Sequence, residues 1–275
     1  MPSIKRFLFC IRLAINSATS WKSCINLLVV HVMNSLIRIP AFKMLRTYLS
    51  SVRDIIASKC LICYRGCIYS FVDNFCLFSD DHEPFIWNFL KLGKGETFID
   101  IGAHVGKYTI AVAKAAKDSC RVVAIEPAPK NYATLLRNIR LNGLSNVIPL
   151  NIACWKKPCN IKLYIANDSE GYSTKVTKGD YVLVRARTLD AVVKDLGIES
   201  IALIKIDVEG AELEVLQGMR EILSTMRPKI ILEVFKKNFE QVAKLLQRHS
   251  YMYKVIPGSA FLAPEPGIYL WCIPT

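Results

Sequence analysis

From residue 97 onward, short apolar runs alternate with stretches whose apolar residues recur at helical spacing, which predicts strands and helices in alternation. Strands are expected over 97–101, 121–125 and 147–151, with helices over 106–117 and 129–142, the second stopped by Asn142-Gly143. The pattern loosens between 152 and 187 into short strands, 161–165 and 181–186, around a polar stretch holding Gly171 and Gly179. This reads as an insertion near the substrate side. Alternation resumes with helix 188–196, strand 201–206, helix 211–224, strand 229–234 and helix 238–249. Two strands, 251–256 and 268–273, separated by Pro257-Gly258 and the 264–267 segment, close the chain. The whole predicts an α/β fold: a doubly wound, mostly parallel sheet with an antiparallel strand at its end.

Upstream of residue 60 the pattern is purely helical. Ile25, Leu28, Val29, Val32 and Leu36 share one helical face, and Leu45, Tyr48, Leu49, Val52 and Ile56 another. Residues 61–79 alternate around Arg65-Gly66, which predicts a short hairpin. A polar link, Asp80-Asp81-His82-Glu83-Pro84, then leads into an apolar helix over 85–92 ended by Gly93. The expected organisation is a helical extension over 1–60 followed by one domain over 61–275.

Charge sharpens that division. Residues 1–60 carry nine Lys/Arg against a single acid, Asp54, so +8 of the formal +13 lies in the extension. An anionic lipid surface or a nucleic acid would match that charge, while a helical cap packed on the domain is the favoured reading of the two amphipathic helices over a membrane-surface or partner-binding arm. The apolar run after Lys5-Arg6 is cut short by Arg12, which argues against a secretory signal and for a cytoplasmic protein. The run over 24–39 is interrupted by Asn26, His31, Asn34, Ser35 and Arg38 and falls below the ~20 residues a spanning helix needs, which disfavours spanning and leaves lying on a surface open. Ten cysteines sit at irregular spacing. Cys60-x-x-Cys63-x-x-x-Cys67 lacks a second pair to complete a tetrahedral set, so no metal is expected and these cysteines read as small hydrophobes.

The chemistry concentrates at strand ends. Phe98-Ile99-Asp100-Ile101-Gly102-Ala103-His104-Val105-Gly106 is a buried strand running into a glycine turn that opens a helix. A dinucleotide turn would want glycine where His104 and Lys107 stand, so Asp-x-Gly-x-x-x-Gly points instead to S-adenosylmethionine (SAM). Asp100 would attract the amino group of the donor, Gly102 would let backbone approach it, and Ala103 and His104 would line the turn. Gly106 would bring helix against strand. The second strand ends at Glu126-Pro127, 24 positions beyond Gly102, where a carboxylate can accept both ribose hydroxyls. Ala153, after the third strand, would border the adenine edge.

Ile204-Lys205-Ile206-Asp207-Val208-Glu209-Gly210 puts two carboxylates at the sheet edge where an acceptor would meet the methyl group. Capping of the next helix competes for Glu209 and Glu212. No Asn/Asp-Pro-Pro-Tyr run cradles an amine there, and no Pro-Cys pair offers a carbon-methylation nucleophile, which leaves oxygen as acceptor. A hydroxyl must lose its proton. Asp207 is the first choice of base, Glu209 the second and His82 the third, with Glu83 able to touch the donor from the same link as His82.

These runs, together with Tyr108-Thr109, Ala124-Ile125-Glu126-Pro127, residues 138–146, Thr188-Leu189-Asp190, Arg227-Pro228 and Glu233-Val234, resemble the FkbM-type SAM-dependent methyltransferases over residues 80–256. The resemblance implies the seven-stranded class I methyltransferase fold and transfer to a hydroxyl, often of a sugar or polyketide. His104 departs from it, standing where the family pattern has Asn. Three functions compete: O-methylation of a glycan, glycolipid or small metabolite; RNA methylation using the basic arm; and a non-enzymatic membrane-surface protein keeping a degenerate fold.

Overall fold

The computed structural model describes residues 15, 18–37, 45–57, 59–70, 75–78, 80, 82–165, 172–173, 180–257 and 267–275. Gly171, Gly179, Gly258 and Pro264 lie outside the described residues, as do Lys5, Arg6 and Arg12. The chain falls into two compact units, one of residues up to His82 with Arg140–Asn142, the other of Glu83–Ile139 with Gly143–Thr275. The division therefore falls beyond the hairpin rather than near residue 60.

The first unit holds helices α1 (Trp21–Ile37) and α2 (Arg46–Ala57) and a hairpin of β1 (Leu61–Tyr64) and β2 (Cys67–Ser70). Arg65 and Gly66 turn the hairpin at φ 49° and 72°, as its tight two-residue loop requires. Cys60 and Cys67 are buried in the manner of small apolar side chains, while Cys63 is exposed.

The second unit contains a seven-stranded sheet. Its members are β3 (Thr97–Ile101), β4 (Arg121–Ile125), β5 (Val147–Leu150), β10 (Leu203–Ile206), β11 (Lys229–Phe235), β12 (Tyr251–Val255) and β13 (Gly267–Pro274), in the order β12-β13-β11-β10-β3-β4-β5. Pairing is parallel from β11 through β10, β3 and β4 to β5, and antiparallel where β13 enters between β11 and β12. A second sheet, β6 (Ala153–Cys154), β9 (Tyr181–Arg187), β7 (Cys159–Ile165) and β8 (Tyr172–Ser173) in spatial order, occupies the loosely patterned stretch.

Strand alternation explains the sheet's two faces. Ile99, Ile101, Ile204, Ile206, Ile230, Leu232, Val234 and Leu270 join one apolar core with residues of α5 (Leu189–Asp195), α6 (Glu212–Gln217), α7 (Arg220–Thr225) and α8 (Phe239–Arg248). The intervening positions, Asp100, Lys205, Glu233 and Tyr269, face the other way, toward the side bearing α3 (Lys107–Ala116). The remaining helix is α4 (Pro129–Leu141).

Two helix expectations are corrected. Over 85–92 only a single 3₁₀ turn forms, Ile86–Asn88. Its rings dock separately, Phe85 on Tyr269, Trp87 on Tyr108 and Phe89 on Trp271, with centroids 5.3, 5.0 and 4.8 Å apart, so side-chain packing overrides helical periodicity. The helix over 211–224 breaks into α6 and α7 at Gly218, where a Cβ would lie 2.2 Å from the carbonyl oxygen of Trp155. Asp190 restarts it, its carboxylate accepting the backbone N–H groups of Glu221 and Ile222 at 3.2 and 3.0 Å.

Candidate functional site

The site is built on the carboxyl ends of β3, β4, β10 and β11. Beyond β3 the chain turns at Gly102, φ 79°, where a Cβ would lie 1.8 Å from the carbonyl oxygen of Asp207. Gly102 is thus required by the close approach of the turn to the end of β10. Gly106, φ 89°, would drive a Cβ to 2.6 Å from Leu135, so it serves the packing of α3 against α4 rather than against a strand. The backbone N–H groups of Gly102 and Ala103 both donate to the carbonyl of Ile125, at 2.9 and 3.0 Å, tying the turn to the end of β4.

Asp100 is sealed beneath this turn, 1% exposed. One oxygen accepts the Thr109 hydroxyl at 2.6 Å; the other, Oδ1, is buried without a hydrogen-bond partner. Burial raises its pKa, opposed by the Lys205 charge and the Thr109 bond. Its first role is to anchor the turn to α3.

Glu126 lies where the second-strand acid is expected. Its Oε2 accepts the backbone N–H of His104 at 2.8 Å and its Oε1 that of Ala128 at 2.9 Å. Burial raises its pKa to about 7 against the pull of those two N–H groups. His104 takes φ 53°, a conformation uncommon for a residue with a Cβ, and in it delivers its N–H to Glu126. Asn151 braces the segment from below, donating to the carbonyls of Glu126 and Pro127 at 2.8 and 3.0 Å. Ala153 is buried in the second sheet, paired with Ala186, where it packs with Ala128.

The ends of β10 and β11 carry a dense polar cluster. Lys205, buried and in register with Asp100, reaches Asp207 with its Nζ 2.8 Å from Oδ2. Burial alone would lower the lysine, but Asp207, Asp100 and Glu83 outweigh it and its pKa is raised. Glu233 hydrogen-bonds Asp207, and burial followed by the Asp207 charge pushes its carboxyl far upward, so Glu233 keeps its proton at neutral pH. Glu83, in register with none of these strands, is gripped by the hydroxyls of Tyr108, at 2.5 Å, and Tyr269. Glu209 stays exposed at the rim in a left-handed conformation, φ 50°. Partial burial first, then the charges of Asp207, Glu212 and Glu83, raise it to about 7. Glu212 is buried and accepts the Gly210 N–H at 2.6 Å and the Asn238 amide, which is the capping role that competes for these acids.

The second unit therefore brings together Glu83, Asp100, Gly102, Ala103, His104, Gly106, Glu126, Pro127, Ala153, Asp207 and Glu209; His82 belongs to the first unit. Sequence reasoning singled out neither Lys205 and Glu233 nor Tyr108 and Tyr269 as parts of the cluster. The available signal is a charged residue inside an otherwise apolar strand, as in Ile204-Lys205-Ile206 and Leu232-Glu233-Val234. Among the described residues no group of three or more His, Cys, Asp or Glu could hold a metal ion.

Comparison with known proteins agrees with this geometry. Residues 100–253 match the model of the methyltransferase FkbM domain. The chain is 27% identical over 183 residues to methyltransferase sdnD of Sordaria araneosa, covering 54% of this chain and 70% of that protein. It is 22% identical over 181 residues to methyltransferase 1 of Beauveria bassiana, with 57% and 72% covered. A solved FkbM methyltransferase from Methylobacillus flagellatus aligns at 16% identity and a TM-score of 0.49, over 98% of this chain but only 59% of the other. The sheet has the seven strands and the inserted antiparallel strand expected from the sequence. The matched segment spans both strand-end clusters, and the chain belongs to the FkbM methyltransferase family.

Proposed function

We propose that this protein transfers a methyl group from SAM to a hydroxyl oxygen of a glycan, glycolipid or small hydroxylated metabolite. The observation that carries the reading is Glu126, whose carboxylate takes the backbone N–H groups of His104 and Ala128 and the Asn131 side chain and, with about four acceptor positions in all, keeps capacity for a ribose hydroxyl. The buried, unpartnered Oδ1 of Asp100 beneath the same turn is a further acceptor on the donor's side of the fold. Both fit a nucleoside bearing hydroxyls and a positive charge.

The donor, when bound, supplies an activated methyl on a sulfonium, so the protein's work is alignment and proton removal. Rigid holding of the two reactants is worth ~7 to 11 kcal/mol of the barrier. Glu126, locked to the turn and braced by Asn151, fixes the sugar; His104 and Ala103 line the turn, and Pro127 and Ala153 border the base. Asp207, held between Lys205 and Glu233, stands at the methyl edge in this reading.

The acceptor's proton goes to Glu209 in this reading. Glu209 stands at the rim two residues beyond Asp207 with its pKa raised to about 7, close to the value that suits proton removal at neutral pH. This reading puts Glu209 ahead of Asp207, the first choice from the sequence.

The test is a methyl-transfer screen with labelled SAM against saccharide, lipid and RNA fractions, followed by NMR of the product. A methyl ether on a saccharide, glycolipid or metabolite is expected; label found only in RNA, or on nitrogen or carbon, contradicts the proposal.

A further inference from the structure

Helix α1 is apolar on two sides. It lies against α2 and buries Leu27, Val30 and Met33. Its opposite face exposes Trp21 (70%), Ile25 (49%), Val29 (39%) and Val32 (46%), four residues at helical spacing that form a continuous stripe. A helix apolar all round is ordinarily enclosed by protein or lipid. Ile15, Ala18, Trp21, Cys24 and Ile25 line a shallow open depression at the start of this stripe. Helix α2 adds a second exposed row, Tyr48 (68%) and Ile55 (58%).

Charge selects the occupant. The first sixty residues carry nine basic side chains and one acid, so two copies of this face would repel each other. A nucleic acid would answer the charge but has no use for an aliphatic stripe. Lys22 sits with its Nζ 5.9 Å from the centroid of the exposed Trp21 ring, pairing an amphipathic aromatic with a cation as interfacial anchors do. At 17 residues α1 is too short to span a bilayer, and no helix among the described residues is long and apolar enough to do so.

We infer that α1 lies in the surface of an anionic membrane, with Trp21, Ile25, Val29 and Val32 inserted among the acyl chains and Lys22 at the headgroups. Apolar insertion and electrostatic attraction add in such binding, and neither alone suffices.

The test is co-sedimentation of the full chain with phosphatidylcholine vesicles, with and without phosphatidylserine. The wild-type protein is expected to bind the anionic vesicles at least ~10-fold more tightly than the neutral ones. Replacing Ile25, Val29 and Val32 together by Gln is expected to weaken anionic binding by ~10-fold or more while the circular dichroism stays unchanged, because all three are exposed. The pair Lys22→Glu and Lys59→Glu, which alters no apolar residue, is expected to weaken it several-fold. Wild-type protein that ignores anionic vesicles overturns the inference, as does unchanged binding by the Gln variant. A wild-type dimer that the Gln variant turns into a monomer also overturns it. No step involves SAM, so the result is independent of the methyl-transfer reading.

Discussion

The Oε2 atom of Glu126 accepts the backbone N–H of His104 at 2.8 Å, joining the tip of β4 to the turn after β3. The acid that would hold the donor's sugar is thus also the acid that holds the turn in shape. Loss of this carboxylate acts on both, which is why its protonation has two consequences.

Burial first, opposed by the N–H groups of Ala128 and His104, raises Glu126 from 4.5 to about 7. The folded protein therefore binds more protons than the unfolded chain between those values, and stability from this group is lost as pH rises through them. The unfolding free energy of wild type minus that of Glu126→Gln is expected to fall across that window by on the order of a few kcal/mol, measured by urea denaturation at several pH values. Affinity for SAM moves the opposite way, strengthening as pH rises through about 7, because the ionised carboxylate is the better acceptor for hydroxyls.

Glu209→Gln is expected to lower kcat/KM by ~100-fold or more while SAM affinity stays within a few-fold. At saturating SAM, where Glu126 no longer governs occupancy, wild-type kcat/KM for the acceptor rises with pH through about 7 as Glu209 ionises, and the variant loses that limb. A variant of Asp207→Asn that keeps the limb, beside a Glu209→Gln that lacks it, assigns the proton to Glu209.

Gly102→Ala separates steric need from general strain. At Gly102 a Cβ would lie 1.8 Å from the Asp207 carbonyl oxygen, whereas at Gly143, also at positive φ, it would meet nothing within 4 Å. The first substitution is expected to cost more than about 4 kcal/mol, and the second ~1 to 2 kcal/mol, by denaturation.

The tips of β3 and β4 were legible because their chemistry is local: a strand, a glycine turn and an acid after the next strand follow one another within 30 residues. The acids after β10 were legible for the same reason. The partners of Glu83 were not, since Tyr269 lies 186 residues away and reaches it only after β13 slots between β11 and β12. Asp190 reads as an acid in the first turn of its own helix, and nothing local reveals that it caps α7 instead. The break at Gly218 is likewise set by the Trp155 carbonyl, from a segment whose pattern was too loose to place. Over 85–92 the run of apolar residues suggests a helix, but rings that each find a separate partner do not need a helix to present them.

Isothermal titration with SAM at a pH above the Glu126 value addresses the central claim most directly. The account predicts saturable one-to-one binding to the wild-type protein, weakened by ~10- to 100-fold in Glu126→Gln, which loses charge-assisted hydrogen bonds to the ribose. A wild-type protein that gives no binding isotherm, or a Glu126→Gln variant that binds as tightly as wild type, would contradict it.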